Sequence, residues 1–251
     1  GGQWDMFVNL IEKYGVVPQS VMAESFQSSQ SRMMNQFLTR KLREFAWVLR
    51  NMNDKGKKLS DLRKEKKNMM STIYSMLCIC LGDPPTKFDW QTRDKKNKFI
   101  RKTNLTPQDF YKKHCNINLK DKVCLIHAPM SNKKMNELYT VSYLGNVVGG
   151  QIIKYANVEL DEIKKSAIKS IKNNESVWFG CDVGKMFHRQ LGLMDMDLYD
   201  YEALFGTQFK MNKSTRLEYG DSQMTHAMLF TGVDLVGGKS RRWRVENSWG
   251  V

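Results

Sequence analysis

The segment that decides the fold is Met224-Thr225-His226-Ala227-Met228, followed later by Trp243-Arg244-Val245-Glu246-Asn247-Ser248-Trp249-Gly250. The two stretches lie on either side of a glycine pair, Gly237-Gly238, and both carry the β-branched and apolar residues typical of strands. Together they predict a closing β hairpin. His226 lies at the head of one strand, and Asn247 follows it 21 residues later. Such a hairpin can place an imidazole against a side-chain amide.

Outside the hairpin the chain divides into a mainly helical part and a later part of strands and loops. Apolar residues recur at helical spacing in four segments, residues 4–14, 31–51, 59–81 and 160–172. Strand patterns include residues 139–143 and 177–183, and a loop-rich region covers residues 184–220. The first 130 residues are mainly helical and the last 80 mainly strand and loop, which predicts an α+β protein of two lobes.

Composition allows a substantial core and leaves the meaning of a basic surface open. The chain has 251 residues, 41% of them hydrophobic, enough for one large domain or two small lobes. No apolar run approaches the ~20 residues that a membrane helix requires, so no membrane contact is expected. The formal net charge is +14. Solvated helix faces and hairpin tips explain this charge most simply, and binding to nucleic acid is the alternative.

The cysteines predict neither disulfides nor a metal site. There are five, which is an odd number, and they show no framework spacing, as expected for a reducing, intracellular compartment. Cys78-Ile79-Cys80 lacks the second ligand pair that a zinc site needs. We therefore expect no metal and no cofactor. Cys181 lies within a strand pattern, which indicates a buried structural thiol rather than a nucleophile.

His226 and Asn247 are the candidate catalytic residues. A thiol nucleophile needs a base that takes its proton, and the base needs a third group that fixes the orientation of its ring. An asparagine amide can serve as that third group, and the indole of Trp249 could exclude water from the histidine–asparagine hydrogen bond. The alternative is a histidine satisfied within the core, followed by an ordinary Asn-Ser turn. The combination of Thr-His-Ala-Met, a hairpin and Glu-Asn-Ser-Trp-Gly favours catalysis.

The whole chain resembles the bleomycin hydrolase family, a family of intracellular cysteine aminopeptidases of the papain superfamily. The resemblance is carried by the closing hairpin and by these segments: Gly1-Gly2-Gln3-Trp4-Asp5-Met6, Glu12-Lys13-Tyr14-Gly15-Val16, Cys80-Leu81-Gly82, Tyr139-Thr140-Val141, Val147-Val148-Gly149-Gly150 and Val177-Trp178-Phe179-Gly180-Cys181-Asp182-Val183-Gly184-Lys185.

The resemblance implies a papain-like two-lobed fold with a large helical insertion. Residues 1–27 would belong to the helical lobe, residues 28–136 would form the insertion used in oligomer contacts, and residues 137–251 would form the β-rich lobe. Gly1 and Gly2 match the glycine pair whose backbone lies beside the bound peptide, and Trp249 matches the indole beside the catalytic pair. These roles are implied by the resemblance alone, and a helix-entry turn at Gly1 and Gly2 stays open.

Two departures from the family concern the ends of the chain. The family's nucleophilic cysteine lies in a Gln-x-x-x-Gly-Arg-Cys-Trp type segment at the start of a long helix, and no such segment occurs here. The family's C-terminal arm, which restricts the cleft to trimming of N-termini, has no counterpart after Val251. We therefore expect an internal fragment, incomplete at both ends and inactive by itself.

The function expected from this resemblance is that of a cytoplasmic cysteine aminopeptidase forming a homohexamer. Its substrates would be peptides with free N-termini, the amide of bleomycin and homocysteine thiolactone. Two other functions stay open. One is binding of single-stranded nucleic acid through the basic surface, and the other is a structural role without activity.

Overall fold

The computed structural model describes residues 2–115 and 117–247, which form an α+β arrangement of eight α-helices and ten strands. Contacts between residues divide the chain into two compact units. We call residues 2–10 together with 118–247 the first unit, and residues 11–117 the second unit. The division falls near residues 10 and 117. The three segments proposed from the sequence, residues 1–27, 28–136 and 137–251, stay a prediction.

The helices, in chain order, are α1 (Trp4–Tyr14), α2 (Phe26–Ser29), α3 (Arg32–Asp54), α4 (Leu59–Leu81), α5 (Pro107–Phe110), α6 (Leu160–Lys172), α7 (Tyr201–Phe205) and α8 (Lys213–Glu218). A π-helical turn over Tyr111–Cys115 continues α5, and a 3-10 turn covers Leu119–Asp121. The predicted helices 4–14, 59–81 and 160–172 are confirmed to the residue, because their apolar spacing and end signals agree.

The strands are β1 (Phe88–Arg93), β2 (Phe99–Leu105), β3 (Leu125–Ile126), β4 (Glu137–Tyr139), β5 (Tyr155–Asn157), β6 (Val177–Cys181), β7 (Phe187–His188), β8 (Leu193–Met194), β9 (His226–Val236) and β10 (Lys239–Glu246). They form the sheets β1-β2, β10-β9-β6, β3-β5-β4 and β7-β8. All pairings are antiparallel except that between β3 and β5.

The second unit consists of the long helices α3 and α4, the β1-β2 hairpin and the short helix α5. Thr106 caps α5 by accepting a hydrogen bond from the Asp109 N–H, as Thr-Pro at a helix start predicts. The Thr106 hydroxyl and the Lys113 ammonium lower the pKa of Asp109 to about 2. Gly15 has φ of +76°, and a Cβ there would overlap the carbonyl carbon of Pro107, so this approach requires glycine.

The first unit is built around the β10-β9-β6 sheet and the smaller β3-β5-β4 sheet. Ile153 and Asn157 are its most deeply buried side chains. The Asn157 amide accepts a hydrogen bond from the Ala128 N–H and donates to the carbonyl oxygens of Ala128, Lys133 and Lys134. One amide therefore satisfies the backbone of an irregular loop that has few ladder bonds of its own.

One strand prediction was wrong in its position. Residues 139–143 carry a strand pattern, yet the strand β4 ends at Tyr139. Tyr143 has φ of +60°, and the Leu144 N–H donates to the Val141 carbonyl, so the chain turns there. Among the described residues, the helices include none long and apolar enough to cross a membrane.

Candidate active site

The candidate site lies on the three-stranded β10-β9-β6 sheet of the first unit. The hairpin predicted from the sequence is confirmed, with Gly237 and Gly238 in left-handed conformations at its tip. His226 is the first residue of β9, and Asn247 directly follows β10. Because Glu246 pairs with Leu229, the register continues to Met228 opposite Asn247, two residues from His226. The histidine and the asparagine are therefore diagonal neighbours on one face, within reach of long side chains.

The side chains of His226 and Asn247 are in hydrogen-bond contact. The distance from His226 Nε2 to Asn247 Oδ1 is 2.9 Å. An amide oxygen can only accept, so the imidazole must donate from Nε2, and the basic lone pair then lies on Nδ1. This is the geometry expected of a base and its orienting amide. The catalytic roles of the two residues stay predictions.

The remaining predicted site residues are only partly described. Gly1 and Trp249 lie outside the described residues. Gly2 is exposed and precedes α1, and a Cβ added to it would meet no atom within 4 Å. Its open surroundings leave room for the backbone of a second chain, and its substrate-binding role stays a prediction.

Cys181 lies directly opposite His226, as the last residue of β6. Burial, and to a lesser extent the carboxylate of Asp182, raises the pKa of its thiol. A nucleophilic cysteine needs the opposite, a stabilised thiolate. Burial likewise raises the pKa of Cys124 to about 12, and all five cysteines are free thiols. The geometry alone would have made Cys181 a candidate, and its environment argues against that role.

Aromatic side chains pack around the strands that carry the pair. Phe230 of β9 stacks on Phe179 of β6 with ring centroids 3.6 Å apart and lies 4.8 Å from Trp243 of β10. The ring centroids of Trp178 and Trp4 of α1 are 5.6 Å apart. Such contacts link all three strands and stiffen the sheet beneath His226.

A group of side chains that the sequence did not reveal pins the segment before His226. Ser222 Oγ donates to the carboxylate of Asp182 at 3.1 Å, and the Thr225 N–H donates to the Cys181 carbonyl at 3.0 Å. Nothing in the residue pattern marks these contacts, because they depend on how the loop after α8 returns to β6.

A cavity of about 390 Å³ lies beside this segment. It is lined by Asp182, Lys185, Met186, Met194, Asp195, Met196 and Arg216. Asp221, at 3.0 Å from Lys185 and 3.1 Å from Arg216, joins the two cations of its wall. Among residues 2–115 and 117–247, no group of three or more His, Cys, Asp or Glu side chains could hold a metal ion.

Comparison with known proteins places this chain in a family. The model of the Peptidase C1-like family matches residues 1–251, and the chain belongs to that family. The chain is 48% identical to bleomycin hydrolase of Homo sapiens and 46% identical to aminopeptidase C of Listeria monocytogenes. Each match covers 100% of this chain and 56% of the relative. The predicted resemblance to the bleomycin hydrolase family is thus confirmed.

A solved structure supports the fold. The crystal structure of pepw from Lactobacillus rhamnosis HN001 superposes with a TM-score of 0.96 at 49% sequence identity. The match covers 100% of this chain and 56% of that one. The predicted α+β, papain-like fold class is confirmed. The chain spans a little over half the length of the relatives it matches.

Proposed function

We propose that this chain supplies the general base and the orienting amide of a cysteine-type aminopeptidase, with His226 as base and Asn247 as orienter. The observation that carries the proposal is the 2.9 Å contact between His226 Nε2 and Asn247 Oδ1. Membership of the Peptidase C1-like family supports it, because the contact occurs within a chain of that family.

The proposed chemistry follows from the tautomer of His226. With Nε2–H donated to Asn247, Nδ1 takes the proton of a cysteine thiol, and the thiolate attacks the carbonyl carbon of the scissile peptide bond. The imidazolium then returns the proton to the leaving amine, and a thioester forms. In the second half-reaction Nδ1 takes a proton from water, which hydrolyses the thioester and releases the acid.

The attacking thiol comes, in this proposal, from a segment outside these 251 residues. The relatives are longer than this chain, which covers 56% of each, so they contain further chain that could carry it. The raised pKa of Cys181 makes the nearest thiol in the sheet a poor substitute. We expect the 251-residue polypeptide alone to show no peptidase turnover.

Three further residues belong to the proposed substrate site. The backbone of Gly1 and Gly2 would run beside the bound peptide and pair with it as a short strand, which the absence of side chains permits. Trp249 would cover the hydrogen bond between the base and its orienter. The open surroundings of Gly2 support its part of the proposal.

The proposed substrates are peptides with an unblocked N-terminus. Relatives named aminopeptidase C and bleomycin hydrolase support this class, and they extend the proposal to the bleomycin amide. Homocysteine thiolactone is a further proposed substrate, since thioester chemistry can open an activated acyl bond. The protein would act in the cytoplasm as a homohexamer, with oligomer contacts in residues 28–136.

The test uses the complete polypeptide, meaning these 251 residues together with the segment that supplies the thiol, and fluorogenic aminoacyl substrates. His226→Ala should reduce kcat by about a thousandfold or more, because the thiol loses its base. Asn247→Ala should reduce it less, and an N-acetylated substrate should not be turned over. His188→Asn is the control, since it keeps an acceptor for the Leu191 N–H and should leave turnover within about threefold. Full activity of His226→Ala would contradict the proposal.

A second candidate function rests on the distribution of charge. The second unit contains 22 Lys and Arg against 10 Asp and Glu, a net +12, whereas the rest of the chain is only +2. We propose that this unit contacts polyanions such as single-stranded DNA. The binding constant should fall steeply with added salt, and a flat response would reject the idea.

A further inference from the structure

His226 occupies the last regular position of its strand pairing. The pairing of β6 with β9 runs from Val177 opposite Phe230 to Cys181 opposite His226, and it stops there. Asn247 is likewise just beyond the end of β10. Ends of strands fray more readily than their middles. The proposed base and its orienter therefore both lie where ladder hydrogen bonds alone would hold them least firmly.

The side chain of Thr225 extends the pairing past this end. Its hydroxyl accepts a hydrogen bond from the Val183 N–H at 3.2 Å and donates its own hydrogen to the Cys181 carbonyl at 3.4 Å. Its backbone N–H donates to the same carbonyl at 3.0 Å. Thr225, immediately before His226, thus bonds both to the last residue of β6, Cys181, and to Val183 in the segment that follows β6.

The loop leading to Thr225 is held by a second contact. Ser222 Oγ donates to Asp182 Oδ2 at 3.1 Å, and the Ser222 N–H donates to the Arg216 carbonyl at 3.0 Å. The Asp182 side chain is only 13% exposed, so this hydrogen bond is shielded from water. The segment before β9 is therefore held at Ser222 and at Thr225, and Thr225 is the one of the two that directly precedes His226 in the chain.

We infer that Thr225 is a positioning residue, which acts through its hydroxyl to hold His226 in register with Asn247. The inference rests on the proposed function. Thr225 itself is exposed, but its hydroxyl satisfies the N–H of Val183, which is only 4% exposed, so loss of the hydroxyl should also lower stability. The catalytic consequence of these hydrogen bonds is geometric, because a displacement of about 1 Å at a catalytic group can lower turnover about a hundredfold.

The test compares Thr225→Val, which keeps the shape but not the hydroxyl, with Thr225→Ser, which keeps the hydroxyl, in the complete polypeptide. Thr225→Val should lower kcat by about 10- to 100-fold and change KM less than about threefold. Thr225→Ser should stay within about threefold of the parent. The pH profile of thiol alkylation by iodoacetamide should shift in Thr225→Val only, because the thiolate–imidazolium pairing is disturbed.

Thr231→Val is the matched control. Thr231 lies on the same strand and accepts a hydrogen bond from Arg244 Nε, away from the histidine. Loss of this hydrogen bond in Thr231→Val should leave both kcat and the pH profile of alkylation unchanged. If Thr225→Val does not fold, Thr225→Ala undergoes the same measurements, with the same expected loss.

The outcomes separate this inference from the proposed function. Inactive His226→Ala together with fully active Thr225→Val or Thr225→Ala would overturn the positioning role alone. Active His226→Ala would overturn the proposed function itself. A loss of kcat in Thr225→Val that Thr225→Ser does not repair would also reject the role assigned to the hydroxyl.

Discussion

The two units differ in how their side chains are used. The first unit is nearly neutral and holds irregular backbone with individual polar groups, such as Asn157 and Thr225. The second unit carries a net +12 and is dominated by α3 and α4, in which Met69 is the one described residue that is buried. Polar groups that are used internally can define a chemical site, whereas apolar and basic faces left at the surface are available to partners.

The strongest test of the first unit is removal of the Asn157 amide. Asn157→Ala should lower the free energy of unfolding by about 3 kcal/mol, because Asn157 is fully buried and its loss leaves the part-buried Ala128 N–H and the neighbouring carbonyls without their partner. Denaturant titration followed by the fluorescence of Trp178 and Trp243 would measure this.

Asn132→Ala is the control for that measurement. Asn132 is exposed in the same loop, and its replacement should change stability by no more than about 0.5 kcal/mol. If Asn157→Ala and Asn132→Ala lower the free energy of unfolding equally, the buried amide does not hold the first unit together. The two units would then not differ in how they use polar side chains.

The tightest backbone contact of the second unit lies at Gly15. Gly15→Ala should cost about 2 kcal/mol or more, since a left-handed conformation is combined with overlap against Pro107. Gly56 has a similar φ of +72° but open surroundings, so Gly56→Ala should cost only about 1 kcal/mol. Unfolding monitored at Trp90 would show the difference. Similar costs would indicate that Pro107 can move aside.

The contact between His127 and Lys213 makes the stability of the first unit dependent on pH. Lys213 Nζ lies 3.0 Å from His127 Nδ1, which requires a neutral imidazole as acceptor. Burial, then the charge of Lys213, lowers the pKa of His127 below its ordinary 6.5, against a smaller opposing effect of Glu159. The unfolded chain therefore binds the proton more readily, and this stabilisation is lost as the pH falls below about 6.5.

The variant His127→Gln should reduce that pH dependence. Lys213→Met should reduce it less, because it removes the charge and leaves the larger cause, burial, in place. Free energies of unfolding between pH 5 and 8 would give both slopes. An unchanged slope in His127→Gln would assign the pH dependence to other groups.

Sequence alone predicted the parts of the molecule that depend on local pattern. Helix α4 and the hairpin carrying His226 and Asn247 follow from apolar spacing and glycine turns, so both could be located in advance. Thr225 and Asn157 could not, because their partners lie 42 and 29 residues away along irregular backbone. The strand expected at residues 139–143 failed because the chain turns there, with Tyr143 in a left-handed conformation that its residue type does not signal.

The smallest effect on stability is expected at Trp47 on α3. Trp47 is 63% exposed, and Phe37 and Leu42 on the same helix are also exposed. Trp47→Glu should change the free energy of unfolding by about 0.5 kcal/mol or less, because little of the indole is removed from water. In the proposed hexamer it should nevertheless weaken association, measured by sedimentation velocity, since an exposed apolar side chain becomes charged.

Gln36→Glu adds the same charge to the same helix without removing apolar surface, and Gln36 is exposed. It should therefore leave association close to that of the parent. If both variants weaken association equally, charge rather than apolar contact governs it. If Trp47→Glu destabilises the chain by much more than about 1 kcal/mol, the indole packs within its own unit, and the second unit would resemble the first in holding itself together internally.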